Sequence, residues 1–141
     1  MLKLFNMTGP KIKQKVQIVV TANDAVLLLK LNEERGGFWQ NATGSVEANE
    51  AFMQAAQREL AEETGIVSAV RELPMEIKFH DRWGYDVVEK IFHCHLPARP
   101  KIVLSEEHQD FKWQILEKLS PTDFAFKTHY EAAMLARKNG I

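Results

Sequence analysis

Three glutamates near the middle of the chain, Glu59, Glu62 and Glu63, are spaced so that a helix would bring their carboxylates together. At about 100° per residue, the three acids fall within one arc of roughly 120° that also holds apolar and small side chains, namely Phe52, Ala55 and Ala56. Carboxylates four positions apart repel each other, and the repulsion grows where water is scarce. A solvated acidic helix end is the alternative, but the apolar neighbours favour a cation held between the acids.

The ligand types indicate which cation this would be. The cluster contains carboxylates and no Cys or His, which suits Mg²⁺, with Mn²⁺ as a substitute, and argues against zinc. Mg²⁺ retains several waters, binds phosphate oxygens and can acidify a water that attacks phosphorus. A site of this kind can bridge the metal to a polyphosphate and activate a water for attack on phosphorus.

The surrounding residues complete a longer pattern. In chain order it reads Gly44, five residues, Glu50, seven residues, Arg58, Glu59, Leu60, one residue, Glu62, Glu63, one residue, Gly65 and Ile66. At every defining position it resembles the Nudix box, the signature of Mg²⁺-dependent hydrolases that cut phosphoanhydrides of nucleoside diphosphates linked to another group. The resemblance implies an α/β (α+β) fold in which helices sandwich a mixed β-sheet, in a single domain over residues 1–141.

Several residues of the box have predicted structural uses of their own. Gly44 allows the backbone of the loop before the helix to approach a metal or phosphate, and Gly65 is placed to end the helix in a left-handed conformation. Asn49 is the expected N-cap, with Glu50 in the first turn, where the helix dipole favours negative charge. Arg58 is expected to pair with nearby carboxylates and hold them in place.

The elements around the box follow from hydrophobic patterns and turn residues. We expect strands at 16–21, 25–31, 68–73, 75–80, 86–96 and 111–115, and helices at 49–64 and 122–138. Asn23 and Asp24 are good turn residues, so the first two strands form a predicted hairpin. The order of strands, helix, strands, helix is compatible with the implied sandwich.

A second polar segment, residues 105–113, leads into an aromatic strand. By itself it reads as a surface loop. Many Nudix hydrolases place a further metal-binding glutamate in such a loop, and the resemblance puts Glu107 at that position, with Glu106 as the alternative. His108 is a candidate proton shuttle or substrate contact, because imidazole changes charge near neutral pH, although a solvated or capping histidine is the default reading.

The predicted mechanism is attack by metal-activated water on a phosphorus of the polyphosphate. Glu59 and Glu63 would hold Mg²⁺ together with the backbone carbonyl of Thr43 and with Glu107. Glu62 is either a further metal ligand or the general base, and spacing does not decide between these roles. With Glu59 and Arg58, it completes the predicted catalytic group.

The segment before the box bears on the substrate. Residues 37–47, together with the 105–113 loop, resemble the bacterial dihydroneopterin triphosphate pyrophosphatases, which release pyrophosphate from pterin or nucleoside triphosphates. That subgroup carries an arginine pair where this chain has Asn32 and Glu33, so a lysine or arginine elsewhere would have to hold the phosphates; the candidates are Lys30, Arg35, Lys11, Lys13 and Lys15. The 105–113 loop is equally similar to that of diadenosine tetraphosphate hydrolases, so hydrolysis of dinucleoside polyphosphates or nucleotide sugars is the alternative.

Aromatic side chains are the candidates for stacking on a pterin or purine ring. Phe38 and Trp39 lie closest to the box, and core packing is the expected role of at least one of them. With Arg35, Thr43 and His108, they form the predicted substrate-binding group. Exposed candidates for a base-binding rim are Trp83 and Tyr85, and those for closing the pocket are Phe124 and Phe126.

Composition limits the remaining classes. The 141 residues include 45% hydrophobic and 26% charged residues with a net charge of −1, which fits one globular domain and gives no general reason to expect nucleic-acid or membrane binding. The single cysteine, Cys94, excludes an internal disulfide and fits a reducing cytoplasm. No apolar run has the length of a membrane span, and residues 1–14 lack the apolar core of a secretory signal. We therefore expect a cytoplasmic monomer or homodimer whose partner is a small nucleotide or pterin polyphosphate.

Two other classes share the implied fold. A noncatalytic nucleotide sensor would be indicated by erosion of the box, and the box is intact. An isomerase of the isopentenyl diphosphate type needs a catalytic cysteine, and Cys94 falls within a predicted strand without a supporting motif.

Overall fold

The computed structural model describes residues 11–140. Most of residues 1–14, where the sequence analysis expects no secretory signal, therefore lies outside the described residues. Within these residues, seven strands and two helices follow one another. The strands are β1 (Lys11–Ala22), β2 (Ala25–Leu31), β3 (Trp39–Gln40), β4 (Ala42–Ser45), β5 (Arg71–His80), β6 (Tyr85–Leu96) and β7 (His108–Ile115). The helices are α1 (Phe52–Thr64) and α2 (Lys127–Gly140), with short 3-10 turns at Glu33–Arg35, Leu116–Lys118 and Pro121–Asp123.

The strands form one mixed sheet in the order β3-β2-β1-β6-β5, with β4 paired to β1 and β7 paired to β2. β1 and β6 are parallel along their whole length, and every other pairing is antiparallel. The near-continuous apolar runs of β1 and β2 suit strands that are covered on both faces.

A helix covers each face of this sheet. Alternate residues of a strand point to opposite faces, so Ile18 packs in the core beneath α1, whereas its neighbour Val19 packs in the core beneath α2. On β6, Phe92 and Ile91 divide in the same way. The α+β sandwich with a mixed sheet is thereby confirmed.

Helix α1 begins later than the sequence predicts. Asn49 has φ of 64° and lies outside the helix, so it is not the N-cap. The N-cap is Ala51, whose backbone N–H donates to the Gln54 side chain at 2.9 Å. The C-terminal prediction is confirmed, because Gly65 has φ of 78° and its N–H donates to the carbonyl of Ala61.

Other boundaries differ for local reasons. The strands expected at 68–73 and 75–80 form the single strand β5, with an irregularity between Glu72 and Glu76 where Pro74 lacks an N–H to donate. The last helix begins at Lys127 rather than 122, because Pro121–Asp123 form a 3-10 turn. Among the described residues, no helix combines the length and apolar character needed to cross a membrane.

Candidate active site

Helix α1 and the loop before β7 meet at a cleft of about 680 Å³, which we call the acidic cleft. It contains two of the three box acids, Glu59 and Glu63, together with Glu107 and His108 from the second segment. The other lining residues are Lys15, Leu31, Arg35, Phe38, Gln40, Thr43, Gly44, Ser45, Arg82, Trp83 and Phe126. Residues far apart in sequence therefore converge where the motif predicted a metal.

Gly44 allows the helix to lie close to β4. A Cβ atom at this position would lie 2.0 Å from Cδ of Glu59 and 2.4 Å from its Oε1. Real Cβ contacts are essentially never this short. The absent side chain thus makes the space that the Glu59 carboxylate occupies.

Glu63 is a buried carboxylate with an oxygen that lacks a hydrogen-bond partner within the described part of the chain. It is 3% exposed, and its pKa is raised, first by burial and then by the negative charges of Glu59 and Glu107. Among the described residues, Glu63 Oε1 and His108 Nε2 are buried atoms without a hydrogen-bond partner, and they lie 3.8 Å apart. A buried acceptor left unpaired is costly, so the site fits a bound cation.

The carboxylates are not yet gathered around one point. Within residues 11–140, no three His, Cys, Asp or Glu side chains are grouped closely enough to hold a metal as they stand. Glu107 pairs with Arg35 at 3.5 Å, and Glu59 pairs with Arg58 at 2.9 Å. To coordinate an ion, Glu107 would rotate away from Arg35, whereas Glu59 could use its Oε2, since Arg58 binds only its Oε1.

Arg58 is the centre of an ion-pair network that connects the acids of the box. Its guanidinium donates to Glu50 at 2.8 and 3.0 Å, to Glu59 at 2.9 Å, to Glu62 at 3.2 Å and to the carbonyl of Ser45 at 2.8 Å. The bond from Arg58 is the main reason that the pKa of Glu50 falls to about 2. Glu50 is thus part of the ion-pair network rather than of the first helical turn, which corrects the sequence expectation.

Glu62 departs from the predicted shared face. Its side chain is 56% exposed and does not line the acidic cleft. Around the helix axis, Leu60 and Glu62 lie on opposite sides of Glu59. The buried face of α1 is centred nearer to Leu60, so Glu62 lies at the outer rim of the cleft. Its contact is Arg58, one helical turn away.

The aromatic candidates divide between site and core. Phe38 lines the acidic cleft and meets Phe126 edge to face, with ring centroids 6.2 Å apart. Trp39 instead packs at the edge of the α2-side core, with Lys112 4.2 Å above its ring, so the structure does not bring it into the cleft. Trp83, 64% exposed, lines the cleft, whereas Phe124 is buried in the α2-side core.

A second cleft of about 660 Å³, which we call the side cleft, opens beside the acidic one. The two share four lining residues, Lys15, Gln40, Thr43 and Phe126. The other residues of the side cleft are Ile77, Lys78, Phe79, Glu89, Ala125, Lys127, Thr128 and His129. A ligand occupying both clefts would pass over Lys15 and Thr43.

The sequence profile of the NUDIX domain matches residues 11–134. The chain belongs to the Nudix family. As a Nudix hydrolase it acts on phosphoanhydrides, and members of the family typically depend on a divalent metal. The buried, unpaired oxygen of Glu63 agrees with that dependence.

Relatives within the family have named activities. A dihydroneopterin triphosphate diphosphatase of Escherichia coli is 34% identical over 114 residues, covering 70% of this chain and 75% of that protein. A CTP pyrophosphohydrolase of the same organism is 29% identical over 137 residues, covering 90% of this chain and 97% of that protein. An octanoyltransferase of Myxococcus xanthus is 41% identical over 91 residues, 62% of this chain, but the match spans only 26% of that protein's length.

A solved structure agrees with the first of these relatives. The E. coli dihydroneopterin triphosphate pyrophosphohydrolase superposes with a TM-score of 0.75 at 27% identity, covering 87% of this chain and 94% of that one. The fold and the family are therefore supported by both sequence and structure.

Sequence reasoning missed the polar residues of the side cleft. Glu89 and His129, from β6 and α2, line this cleft, and Gln17, from β1, is a buried neighbour that donates to Glu89. The available signal was strand phase: Glu89 alternates with Val87 and Ile91, so it occupies an inward position of a buried strand. A charged residue at such a position usually has a partner or a function.

Cys94 lies in β6 and is fully buried in the α1-side core. It does not line the acidic cleft. This placement is the one expected for a packing residue and gives no support to isomerase chemistry.

Proposed function

We propose that this Nudix hydrolase cleaves a nucleoside or pterin triphosphate to the monophosphate and pyrophosphate, with Mg²⁺ as its metal. The observation that carries the proposal is the junction of the two clefts. Carboxylates surround one cleft, and the adjoining cleft has apolar walls with polar groups at its base. Such a pair suits a polyphosphate attached to a flat heterocycle.

The metal would be held by Glu59 and Glu63, with Glu107 and the backbone carbonyl of Thr43 as further ligands. When bound, Mg²⁺ neutralises charge on the phosphate oxygens and lowers the pKa of water. The proposed general base is Glu62, whose exposed carboxylate can exchange its proton with solvent and would turn from the rim toward the acidic cleft to act.

The neighbouring residues orient these groups. Arg58 acts as a positioning residue, because its separate bonds to Glu59 and Glu62 set the distance between the proposed ligand and the proposed base. His108 stands behind Glu63, and burial lowers the pKa of its ring, so it is neutral near pH 7. A neutral ring N–H can donate to the Glu63 carboxylate without adding a charge.

Cations for the phosphate chain come from two elements. Lys15 lies at the junction of the clefts on β1. Arg35 follows the position of the missing arginine pair and lies within 3.5 Å of Glu107. If Glu107 served as a metal ligand, Arg35 would be free to bind a phosphate oxygen. Phe38 and Phe126 form an aromatic wall of the cleft that Lys15 and Arg35 also line.

The test is phosphate release with and without added inorganic pyrophosphatase. The panel contains dihydroneopterin triphosphate, the common nucleoside triphosphates, diadenosine tetraphosphate and nucleotide sugars. We expect phosphate from triphosphates only when pyrophosphatase is present, and only with Mg²⁺. Loss of activity in Glu59→Gln, with Glu117→Gln as a surface control, would tie the reaction to the acidic cleft.

Three results would overturn the proposal. Phosphate released without pyrophosphatase would mean cleavage of the outer anhydride. If chromatography showed that only diadenosine tetraphosphate or a nucleotide sugar is consumed, the alternative substrates would be favoured. Binding without hydrolysis of any compound would indicate a nucleotide sensor.

A further inference from the structure

Glu89 lines the side cleft and is one end of a connected chain of buried polar groups. In the sheet, Lys15 lies opposite Glu89, and Gln17 lies opposite Thr43. Gln17 Nε2 donates to Glu89 Oε1 at 2.9 Å, and Asn41 Nδ2 donates to Gln17 Oε1 at 2.7 Å. None of these bonds is needed to hold a metal in the acidic cleft.

The direction of this chain is determined at its far end. Asn41 Nδ2 also donates to the carbonyl of His129 at 3.1 Å, so the Asn41 amide cannot be reversed without losing two bonds. Gln17 must therefore present its oxygen to Asn41 and its N–H to Glu89. Glu89 Oε1 is an acceptor by necessity.

The second oxygen of Glu89 remains for a ligand. Glu89 is 5% exposed and lines the side cleft, and within residues 11–140 its Oε2 has no hydrogen-bond partner. The pKa of Glu89 is raised, because burial outweighs the bond from Gln17 and the charge of Lys15. Two N–H donors from a ligand would favour the ionised form.

His129 supplies a donor to the same cleft. Its Nδ1 accepts the backbone N–H of Asn41 at 3.0 Å. Burial lowers the pKa of His129 to about 4, so the ring is neutral at pH 7 and its proton is on Nε2. The side cleft thus combines a carboxylate acceptor with an imidazole N–H donor, below the aromatic side chains of Phe79 and Phe126.

We propose that Glu89 selects substrates whose ring carries two adjacent N–H donors, as on the edge of the 2-aminopyrimidin-4-one ring that guanine and pterins share. The ring N–H and the amino group would donate to the Glu89 carboxylate, the neighbouring carbonyl would accept from His129, and the ring would stack on Phe126. This inference rests on the proposed function, since it places the phosphates of the same molecule in the acidic cleft.

Other bases present the wrong edge to a carboxylate. Adenine and cytosine each place an unprotonated ring nitrogen beside their amino group, and that lone pair would face the carboxylate oxygen. Uracil and thymine offer one N–H between two carbonyls. Hypoxanthine matches guanine except for the amino group, so comparing inosine with guanosine isolates one hydrogen bond.

The experiment measures binding without turnover. Titration calorimetry in the presence of Mg²⁺ uses the α,β-methylene triphosphates of guanosine, inosine, adenosine and cytidine, which cannot be cleaved between the α and β phosphates. We expect the guanosine analogue to bind about 10- to 100-fold more tightly than the inosine analogue, the effect of one hydrogen bond to a charged group. Glu89→Gln, which offers one acceptor and one donor, should abolish that preference, and Glu117→Gln should retain it.

Equal binding of the guanosine and inosine analogues by the wild-type protein would overturn the inference without any variant. Tighter binding of the cytidine or adenosine analogue, or no binding of any analogue, would also overturn it. A guanosine preference in a protein that hydrolyses no triphosphate would support the inference while overturning the proposed function. Hydrolysis without a base preference would do the reverse.

Discussion

Substitution of Gly44 by alanine should disable the Nudix box without unfolding the protein. The added Cβ would lie 2.0 Å from Cδ of Glu59, whereas ordinary contacts begin at 3.4 Å, so that carbon must move by about 1.4 Å. A misplacement of about 1 Å in a catalytic constellation costs about 100-fold in rate, so we expect kcat/KM to fall at least that much. Gly44 lies in β4 without a left-handed φ, so alanine should change the free energy of unfolding by less than about 1 kcal/mol.

The assay combines steady-state hydrolysis with urea unfolding of Gly44→Ala, Glu59→Gln and the double variant. If Gly44→Ala acts by displacing Glu59, adding it to Glu59→Gln should cost little more, because both changes remove the same carboxylate. Ser45→Ala, at the next position, serves as a matched control that leaves the Glu59 space unchanged. Near-normal activity in Gly44→Ala, or fully additive losses in the double variant, would refute the reasoning.

Three further predictions concern the groups around this carboxylate. Glu63→Gln should lower Mg²⁺-dependent kcat at least about 100-fold and keep cooperative unfolding, because an amide lacks the charge needed for a metal. Arg58→Lys should lower kcat/KM about 10- to 100-fold and the free energy of unfolding by about 1 to 2 kcal/mol, because an ammonium cannot reproduce the paired bonds to Glu50. His129→Asn should lessen the fall in stability at acid pH, part of which remains because burial also lowers the pKa of His93 to about 4. The unfolded chain takes up a proton near pH 6.5 and the folded chain only near pH 4, so His129 contributes stability that is complete above pH 6.5 and declines as pH falls, by up to about 3 kcal/mol at pH 4.

Matched variants make these outcomes interpretable. Glu117→Gln and Arg137→Lys apply the same chemical changes outside the two clefts. Full activity in Glu63→Gln would remove it from the proposed metal ligands, and unchanged stability in Arg58→Lys would show that the ion-pair network is not structural. For His129→Asn, whose Oδ1 can replace Nδ1 as acceptor, urea midpoints that fall with pH as steeply as in the wild-type protein would contradict its assigned pKa.

Local spacing was sufficient to predict much of the fold and the chemistry of the site. β2 has the predicted limits, and α1 ends at Gly65 as expected. Helix termination at a glycine with a left-handed φ is decided by the local sequence. The same holds for the acids Glu59 and Glu63, since helical periodicity puts residues four apart on one face. Hard carboxylate ligands then indicate the type of metal.

Local spacing failed where distant elements compete for the same side chain. Glu50 was expected to cap a helix dipole, yet Arg58 draws it into an ion-pair network eight residues away. Helical periodicity predicts the same face for Glu62 as for Glu59 and Glu63. The sheet contacts the helix nearer to Leu60, however, and Glu62 lies at the rim. Trp39 is in the predicted segment, but it packs toward α2.

From the sequence by itself, the resemblance to the Nudix box implied the family and the sandwich of a mixed sheet between helices. Residue type and short-range periodicity indicated a set of acids suited to a hard cation. The resemblance also placed Glu107 with Glu63, and both line the acidic cleft. Tertiary structure alone decided that Lys15, Glu89 and His129 meet in a second cleft beside it. The physical reason is the register of the parallel β1–β6 pair, which sets Lys15 against Glu89 across more than seventy residues of chain. Long-range pairing of this kind has no local signature, and it is what brings the proposed heterocycle site to the phosphates.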